Sequence, residues 1–349
     1  MSLLCILSTY KIYVQIDNFN FNTMKPTFKI FILITLLGYI TGCSLENETD
    51  KRRDDEGKYL NQYITALTES IKNDTTVYDK TIHKSSSGFY YVIEKKESEN
   101  DSLSLNNYIA INYTGWLLNS GKLGNVIETN DASIAKSAGI IPSVTIPGPY
   151  YMRYSYCNLI GGLFEGIGMM KKGSKFKLVI PSDLAYGGIY FGNIPSYSTL
   201  VYEIELVNIV INPKSYDSLK IELLKNKIGL MTKKDTLGSS IYYKENTAGS
   251  GKLIEIYDSV KFRYKASLID ERPIRSDFKD TTIIIGNKNL MPGIGLDFAF
   301  MQLKVGSKAE IIIPYSLSFG HFGLFNNSGQ VVIPPCTSLL MDVEIEKIY

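Results

Sequence analysis

Residues 159–206 read LIGGLFEGIGMMKKGSKFKLVIPSDLAYGGIYFGNIPSYSTLVYEIEL. Gly161-Gly162 breaks the incoming chain, and Leu163, Ile167 and Met170 then recur at helical spacing, which predicts a short helix with one buried face, closed at Gly173. In Lys175–Ile180 the apolar Phe176, Leu178 and Ile180 alternate with Lys175 and Lys177, the period-two pattern of a strand with one wet face. Pro181 ends it, having no N–H to give to a ladder. In the last strand Leu200, Tyr202, Ile204 and Leu206 share one face, so Tyr202 is expected to point into the same interior as the leucines.

Working outward, much of this stretch recurs. Met170-Lys171-Lys172-Gly173-Ser174-Lys175 returns as Leu303-Lys304-Val305-Gly306-Ser307-Lys308, Ile180-Pro181 as Ile313-Pro314, and Ala185-Tyr186-Gly187 as Ser318-Phe319-Gly320, all in one register without a gap. Ile111-Asn112-Tyr113 corresponds to Phe262-Arg263-Tyr264, and Leu200–Leu206 to Leu339–Ile345. The chain therefore uses one fold twice, and 349 residues are comfortable for two domains that each bury a core. Expected boundaries are 76–212 for the first copy and 231–349 for a degenerate second. Residues 213–230, with Leu219, Leu223 and Leu224 at helical spacing, join them as a helical linker.

A formal charge of +2 with interspersed acids and bases gives no electrostatic footprint for nucleic acid. Two histidines, His83 and His321, far apart in sequence, offer no metal or catalytic constellation, and no cofactor is expected. Four cysteines (Cys5, Cys43, Cys157, Cys336) lack C-x-x-C spacing. Cys157 and Cys336 lie in different copies and are expected as free or buried thiols.

Residues 1–43 read as an address. From Met24, a plausible true start, Lys25 and Lys29 form a charged region and Ile30–Leu37 an apolar run too short for an ordinary spanning helix. Ile40-Thr41-Gly42-Cys43 resembles a bacterial lipobox, which implies lipidation of Cys43 and a chain held on the cell envelope, facing periplasm or cell surface. The competing reading is a monotopic or membrane-spanning anchor with an incidental cysteine. Residues 44–57 carry almost nothing apolar and are expected to be a flexible tether, followed to residue 75 by a helix bearing Tyr59, Leu60, Tyr63, Ile64, Leu67 and Ile71.

The ordered motifs Leu159-Ile160-Gly161-Gly162-Leu163-Phe164-Glu165-Gly166, Lys172-Gly173, Ile180-Pro181, Ala185-Tyr186-Gly187 and Ile194-Pro195 through Tyr202 closely resemble the C-terminal half of the FKBP-type peptidyl-prolyl cis–trans isomerases. Upstream, Tyr113-Thr114-Gly115 matches the family's Tyr-Thr-Gly, and Val126-Ile127-Glu128-Thr129 its Val-Phe-Asp-Ser/Thr. Leu163 stands for the family's floor tryptophan. Residues 130–149 exceed the family's usual connection and are expected to form a flap or insert beside the pocket. A similar long insert occurs in gliding-motility-associated lipoproteins of Bacteroidota within this family.

The resemblance implies an α+β fold: two tandem domains, each a bent antiparallel sheet wrapped around a short helix. It implies isomerase activity on proline-containing polypeptides, chiefly in the first copy. There Tyr113, Glu128, Tyr186 and Ile194 would be the working residues, with the Tyr186 hydroxyl and the Ile194 backbone N–H as donors. Ile127, Tyr150, Leu159, Ile160, Leu163 and Tyr202 would form the proline pocket. In the second copy the corresponding residues are Tyr264, Ile274, Leu290, Met291, Leu296, Phe319, Ile333 and Met341. Phe319 cannot donate, and Arg275 reverses the charge of the acid. Two other readings stand beside this one: a non-catalytic binding or chaperone module that keeps the cleft, and a glycan-binding surface protein, prompted by 25 tyrosines.

Overall fold

The structure, a computed structural model, describes residues 26–96, 103–156, 159–234, 240–287 and 294–349. The chain divides into two compact units, Met1–Arg52 and Arg53–Tyr349. Helix α1 (Pro26–Asn73) runs through the stretch expected to be a flexible tether. The correction has a local cause, because an acid-and-base composition without glycine or proline before Gly57 can close helical ion pairs such as Arg52–Glu48, at 2.9 Å. Cys43 falls in this helix, and its side chain lies outside the described residues. Among the described residues no helix is long and apolar enough to cross a membrane.

The first copy follows as β1 (His83–Lys84), β2 (Tyr90–Lys95), β3 (Tyr108–Asn119), β4 (Lys122–Thr129), α2 (Ala132–Ala138), β5 (Tyr150–Arg153), α3 (Gly161–Gly168), β6 (Lys175–Ile180) and β7 (Leu200–Val210). The strands form one antiparallel sheet in the order β1-β2-β6-β7-β3-β4, with β5 on β3. Leu163, Ile167 and Met170 are buried against Phe176, Leu178, Leu200, Tyr202, Ile204 and Leu206 on the concave face, as the period-two and helical patterns require. Gly162 and Gly166 let α3 come close to β6: a Cβ on either would meet the Ile180 or Leu178 side chain at 2.5 Å.

The outer face of this sheet is wet only in part, around Lys175 and Glu203. Val92, Val179 and Val201 are buried under Tyr63, Leu67 and Ile71 of α1. Lys175 and Lys177, on the same face, pair with Glu94 and Glu203 of the neighbouring strands at 2.9–3.4 Å.

The second copy repeats the plan: α4 (Pro213–Ile228), β8 (Met231–Lys234), β9 (Ser240–Thr247), β10 (Ser259–Leu268), β11 (Pro273–Ile284), α5 (Ile294–Phe300), β12 (Lys308–Ile313), β13 (Leu324–Phe325), β14 (Val331–Ile333) and β15 (Leu339–Ile348). Its main sheet has the order β11-β10-β15-β12-β9-β8. Helix α4 covers the outer face as α1 does in the first copy, through Ile221 and Leu224 against Ile312 and Leu340. Leu219 and Leu223, two of the three leucines that marked the helix in the sequence, are exposed. The buried stripe is Asp217, Ile221 and Leu224.

The repeated unit is thus a helix followed by a sheet, and an acid on each helix ties it to its sheet. Glu56 accepts hydrogen bonds from Ser182 N and Oγ, both at 2.7 Å, and from Thr199 Oγ1 at 2.8 Å. Asp217, one helical turn before Ile221 as Glu56 is before Leu60, accepts from Ser338 N and Oγ; the Ser338 hydroxyl in turn accepts from Tyr315 N at 2.8 Å. Each acid therefore joins the turn after an Ile-Pro strand end to the start of the last strand.

Strand β11 runs unbroken along β10, whereas its counterpart in the first copy is split into β4 and β5 by residues 130–149. Asn130, buried, closes the base of that insert by accepting from Tyr113 N at 2.7 Å and donating to Gly148 O at 2.9 Å. The insert lies against the second copy rather than standing as a free flap. Thr145 N donates to Val331 O and Val331 N to Ser143 O, both at 2.9 Å. Gln330 donates to Pro142 O and Arg272 to Pro147 O, also at 2.9 Å each.

Candidate functional site

On the concave face of the first sheet lies an open cavity of about 850 Å³. Its floor is apolar: Ile111, Leu163, Ile167 and Ile204, with the Tyr202 ring among them. Tyr202 can lie flat there because Gly115, its cross-strand partner, has no side chain; a Cβ on Gly115 would meet the ring at 2.5 Å. Tyr113 and Tyr150 meet edge to face, with ring centroids 6.0 Å apart, and form a side wall with Leu159.

Six of the residues expected from the sequence line this cavity: Tyr113, Glu128, Tyr150, Leu159, Leu163 and Tyr202. Four others do not line it. Ile127, Ile160 and Tyr186 pack against the apolar cluster that supplies its floor, and Ile194 belongs to that cluster. The Ile194 N–H, expected to be a donor for substrate, is donated to the Phe191 carbonyl at 2.8 Å, and the Phe191 N–H returns to Ile194 O at 3.0 Å. This tight bridge closes the loop between Gly187 and Pro195 on itself, so that N–H is already engaged.

Glu128 is the polar centre of the cavity. It accepts from the Tyr202 hydroxyl at 2.6 Å and from the Tyr113 hydroxyl at 3.5 Å. A longer acid than the family's aspartate thus reaches the hydroxyl of a tyrosine in the last strand of the first sheet. Burial first, and the Glu128 charge second, push the Tyr113, Tyr186 and Tyr202 phenols above their ordinary pKa, so all three keep their protons at neutral pH. Among the described residues no group bonds the Tyr186 hydroxyl, while its ring is fixed by stacking on Phe191 with centroids 4.4 Å apart. Glu56 steadies the same turn from behind through Ser182.

The outer wall comes from the second copy, which sequence reading missed. His321, Phe322, Phe325 and Pro335 line the same cavity from the loop between Phe319 and the last strand. His321 lies between the Tyr108 hydroxyl, at 3.3 Å, and Cys336 Sγ, at 3.2 Å. Cys336 is a free thiol, and burial pushes its pKa up to about 11. Cys157 lies outside the described residues.

The residues expected to form a second pocket separate into two clusters. Leu296 and Met341 are buried in the second core with Tyr264 packed on them. Ile274, Phe319 and Ile333 instead gather around Leu268 and Leu339, where Ile146 of the first copy's insert packs on the same cluster. Leu290 and Met291 lie outside the described residues. Arg275 is exposed.

The profile of the FKBP-type peptidyl-prolyl cis-trans isomerase family matches residues 100–207 and 251–346, together more than half of the chain. Similar curated proteins include the peptidyl-prolyl cis-trans isomerase FKBP9 of Homo sapiens, 27% identical over 190 residues (54% of this chain, 28% of the relative). The FKBP-type isomerase FkpA of Buchnera aphidicola is 33% identical over 131 residues (38% of this chain, 46% of the relative). FkpA of Escherichia coli K12 is 32% identical over 140 residues (39% and 43%). The chain thus spans less than half the length of these relatives. Among solved structures, FkpA from Escherichia coli aligns with a TM-score of 0.38 and 23% identity over 54% of this chain and 74% of that one.

Proposed function

Since this chain belongs to the FKBP-type peptidyl-prolyl cis–trans isomerase family, we propose that its first copy catalyses rotation about X–Pro bonds in other polypeptides. The observation that carries the reading is the open apolar cavity walled by Tyr113, Tyr150, Leu159, Leu163 and Tyr202. An X–Pro bond resists rotation with a barrier of about 18–20 kcal/mol, set by amide resonance. Lowering it requires no nucleophile, metal or base. The twisted amide has lost its double-bond character and its polarity falls, so a dry apolar cavity holds it better than it holds the planar ground state. A thousandfold acceleration needs about 4 kcal/mol of such preference.

In this scheme the proline ring enters over Tyr202 and Leu163, and the Tyr186 hydroxyl donates to a neighbouring carbonyl. Glu128 holds the Tyr202 and Tyr113 phenols in place and so fixes the floor and one wall. The second copy acts as a clamp rather than a second catalyst, since Phe319 has no hydroxyl and its cluster already carries Ile146. The lipobox-like run ending at Cys43 supports a lipid-anchored position on a bacterial envelope, where the clients are exported proteins. One observation favours a second reading, a folding helper that binds without turnover: the Ile194 N–H is engaged, while Ile189, Tyr190 and Phe191 beside Tyr186 are exposed apolar surface.

The test is a cis/trans assay on a proline tetrapeptide with the whole chain at micromolar concentration. Acceleration that falls several-fold in Tyr186→Phe and further in Leu163→Ala is expected. No acceleration by the wild-type chain leaves the binding reading, and a rate indifferent to both substitutions removes the pocket assignment.

A further inference from the structure

We infer that the second copy supplies the specificity wall of the first copy's site: Phe322 and Phe325 receive a large apolar side chain next to the substrate proline. This rests on the reading that the cavity takes proline peptides. Four observations carry it.

The cavity, at about 850 Å³, is near the upper end for sites that enclose a drug-sized molecule, and one proline ring fills a small part of it. The remaining space runs from Leu163 and Tyr202 out to Phe322 and Phe325, so a bound chain extends past the proline onto these two rings.

Both rings face water. Phe322 is 80% exposed and Phe325 46%, an unfavourable placement for two aromatic side chains unless something covers them. The loop is not loose packing at the end of a strand. Strands β13 and β14 pair across it, and Asn326 closes its turn by accepting from Ser328 N and Gln330 N at 3.0 Å each.

It is also tied to the insert of the first copy, through Val331 to Ser143 and Thr145 and through Gln330 to Pro142. The loop that carries the rings is thereby tied down beside the pocket, as a selective wall requires. The counterpart loop in the first copy, from Gly187 to Pro195, is shorter, so the added length is what carries Phe325 and the turn.

The polar groups nearby set the sign of the preference. Arg153, Asn106, Tyr108 and His321 line the same cavity, whose carboxylate, Glu128, is engaged by the Tyr202 and Tyr113 hydroxyls. A lysine beside the proline therefore meets the like charge of Arg153 and two apolar rings, whereas a phenylalanine gains the rings without that repulsion.

The experiment uses the whole chain and fluorescent nonapeptides with one proline, flanked by phenylalanine or by lysine. Binding and isomerisation are both measured for the wild type, Phe322→Ala/Phe325→Ala and Phe322→Leu/Phe325→Leu. The wild type is expected to bind the phenylalanine peptide about tenfold or more tightly than the lysine peptide. The double alanine variant loses most of that preference through KM rather than kcat, and the double leucine variant keeps it. Thermal melts confirm folding, which two exposed rings do not govern.

An unchanged preference in the double alanine variant, with the wild type active, overturns the wall and leaves the isomerase reading standing. A preference that depends on both rings, without turnover, supports the wall and removes catalysis. A wild-type chain that neither binds nor turns over the peptides overturns both.

Discussion

The Tyr202 hydroxyl donates to Glu128 across 2.6 Å at the floor of the cavity, joining the last strand of the first sheet to the strand two places away. Removing that hydroxyl leaves Glu128, among the described residues, with only the 3.5 Å contact from Tyr113. Tyr202→Phe is expected to lower stability by about 1–3 kcal/mol, the cost of stranding a partly buried charged acceptor. Glu128→Gln keeps an acceptor and is expected to cost less. Denaturant unfolding of both single variants and the double variant checks this: additive losses would show that the pair does not interact.

Glu56 reaches the turn that precedes Tyr186 with two hydrogen bonds and the start of β7 with a third. Glu56→Ala is expected to cost about 2 kcal/mol and to speed amide hydrogen exchange in residues 182–187 before the rest of the sheet. It should also lower kcat/KM, because Tyr186 stands on that turn. Asp217→Ala is expected to loosen residues 315–320 in the same manner. Uniform exchange across the sheet in Glu56→Ala would speak against a local tie.

Stability should fall in acid partly through Glu203. Burial pushes its carboxyl up, but Lys177 and Lys175 outweigh that and hold it below the usual range. Its folded pKa lies under the unfolded value of about 4.3, so its contribution is complete above that value and is lost as pH falls through the folded pKa. Asp217 works the other way: burial raises its pKa, so acidification first favours its folded, protonated form. Thermal melts from pH 7 down to about pH 2 should show a flatter low-pH limb for Glu203→Gln than for the wild type.

Ile146 is the apolar contact by which the first copy's insert joins the cluster around Ile333 and Phe319. Ile146→Asp places a charge there and is expected to free the insert, costing about 3 kcal/mol. Limited proteolysis should then cut within residues 139–149 of a chain whose two sheets remain intact. Resistance equal to that of the wild type would mean that the backbone bonds to Val331 suffice alone.

The concave face was legible in the sequence because alternation fixes which side chains share a face. Tyr202, Ile204 and Leu206 took their places from period alone, and Leu163 and Ile167 from helical spacing. The outer face was not legible in the same way. Val179 and Val201 share the strand faces that carry Lys175 and Lys177 or Glu203 and Glu205 and so read as solvent-facing, and the docked α1 buries them. Glu56 looked like one more charge in a polar run, since nothing local distinguishes an acid that caps a distant turn. A signal was present in the spacing shared by Glu56, Leu60 and Tyr63 with Asp217, Ile221 and Leu224, visible once the helices are counted as part of the repeat. The outer wall of the cavity was beyond reach, because Phe322 belongs to one copy and Leu163 to the other. The engaged Ile194 N–H depends on a two-residue bridge that no periodicity reports.

The strap between Ser143 and Pro147 has its partners, Val331 and Arg272, far downstream. A ribosome delivers the strap first, so for a time the newborn first domain shows Ile146 to water with nothing to receive it. Completion of the cavity's outer wall is thereby made to wait for the end of synthesis, and a truncated chain would be born with the first copy's cavity open on one side.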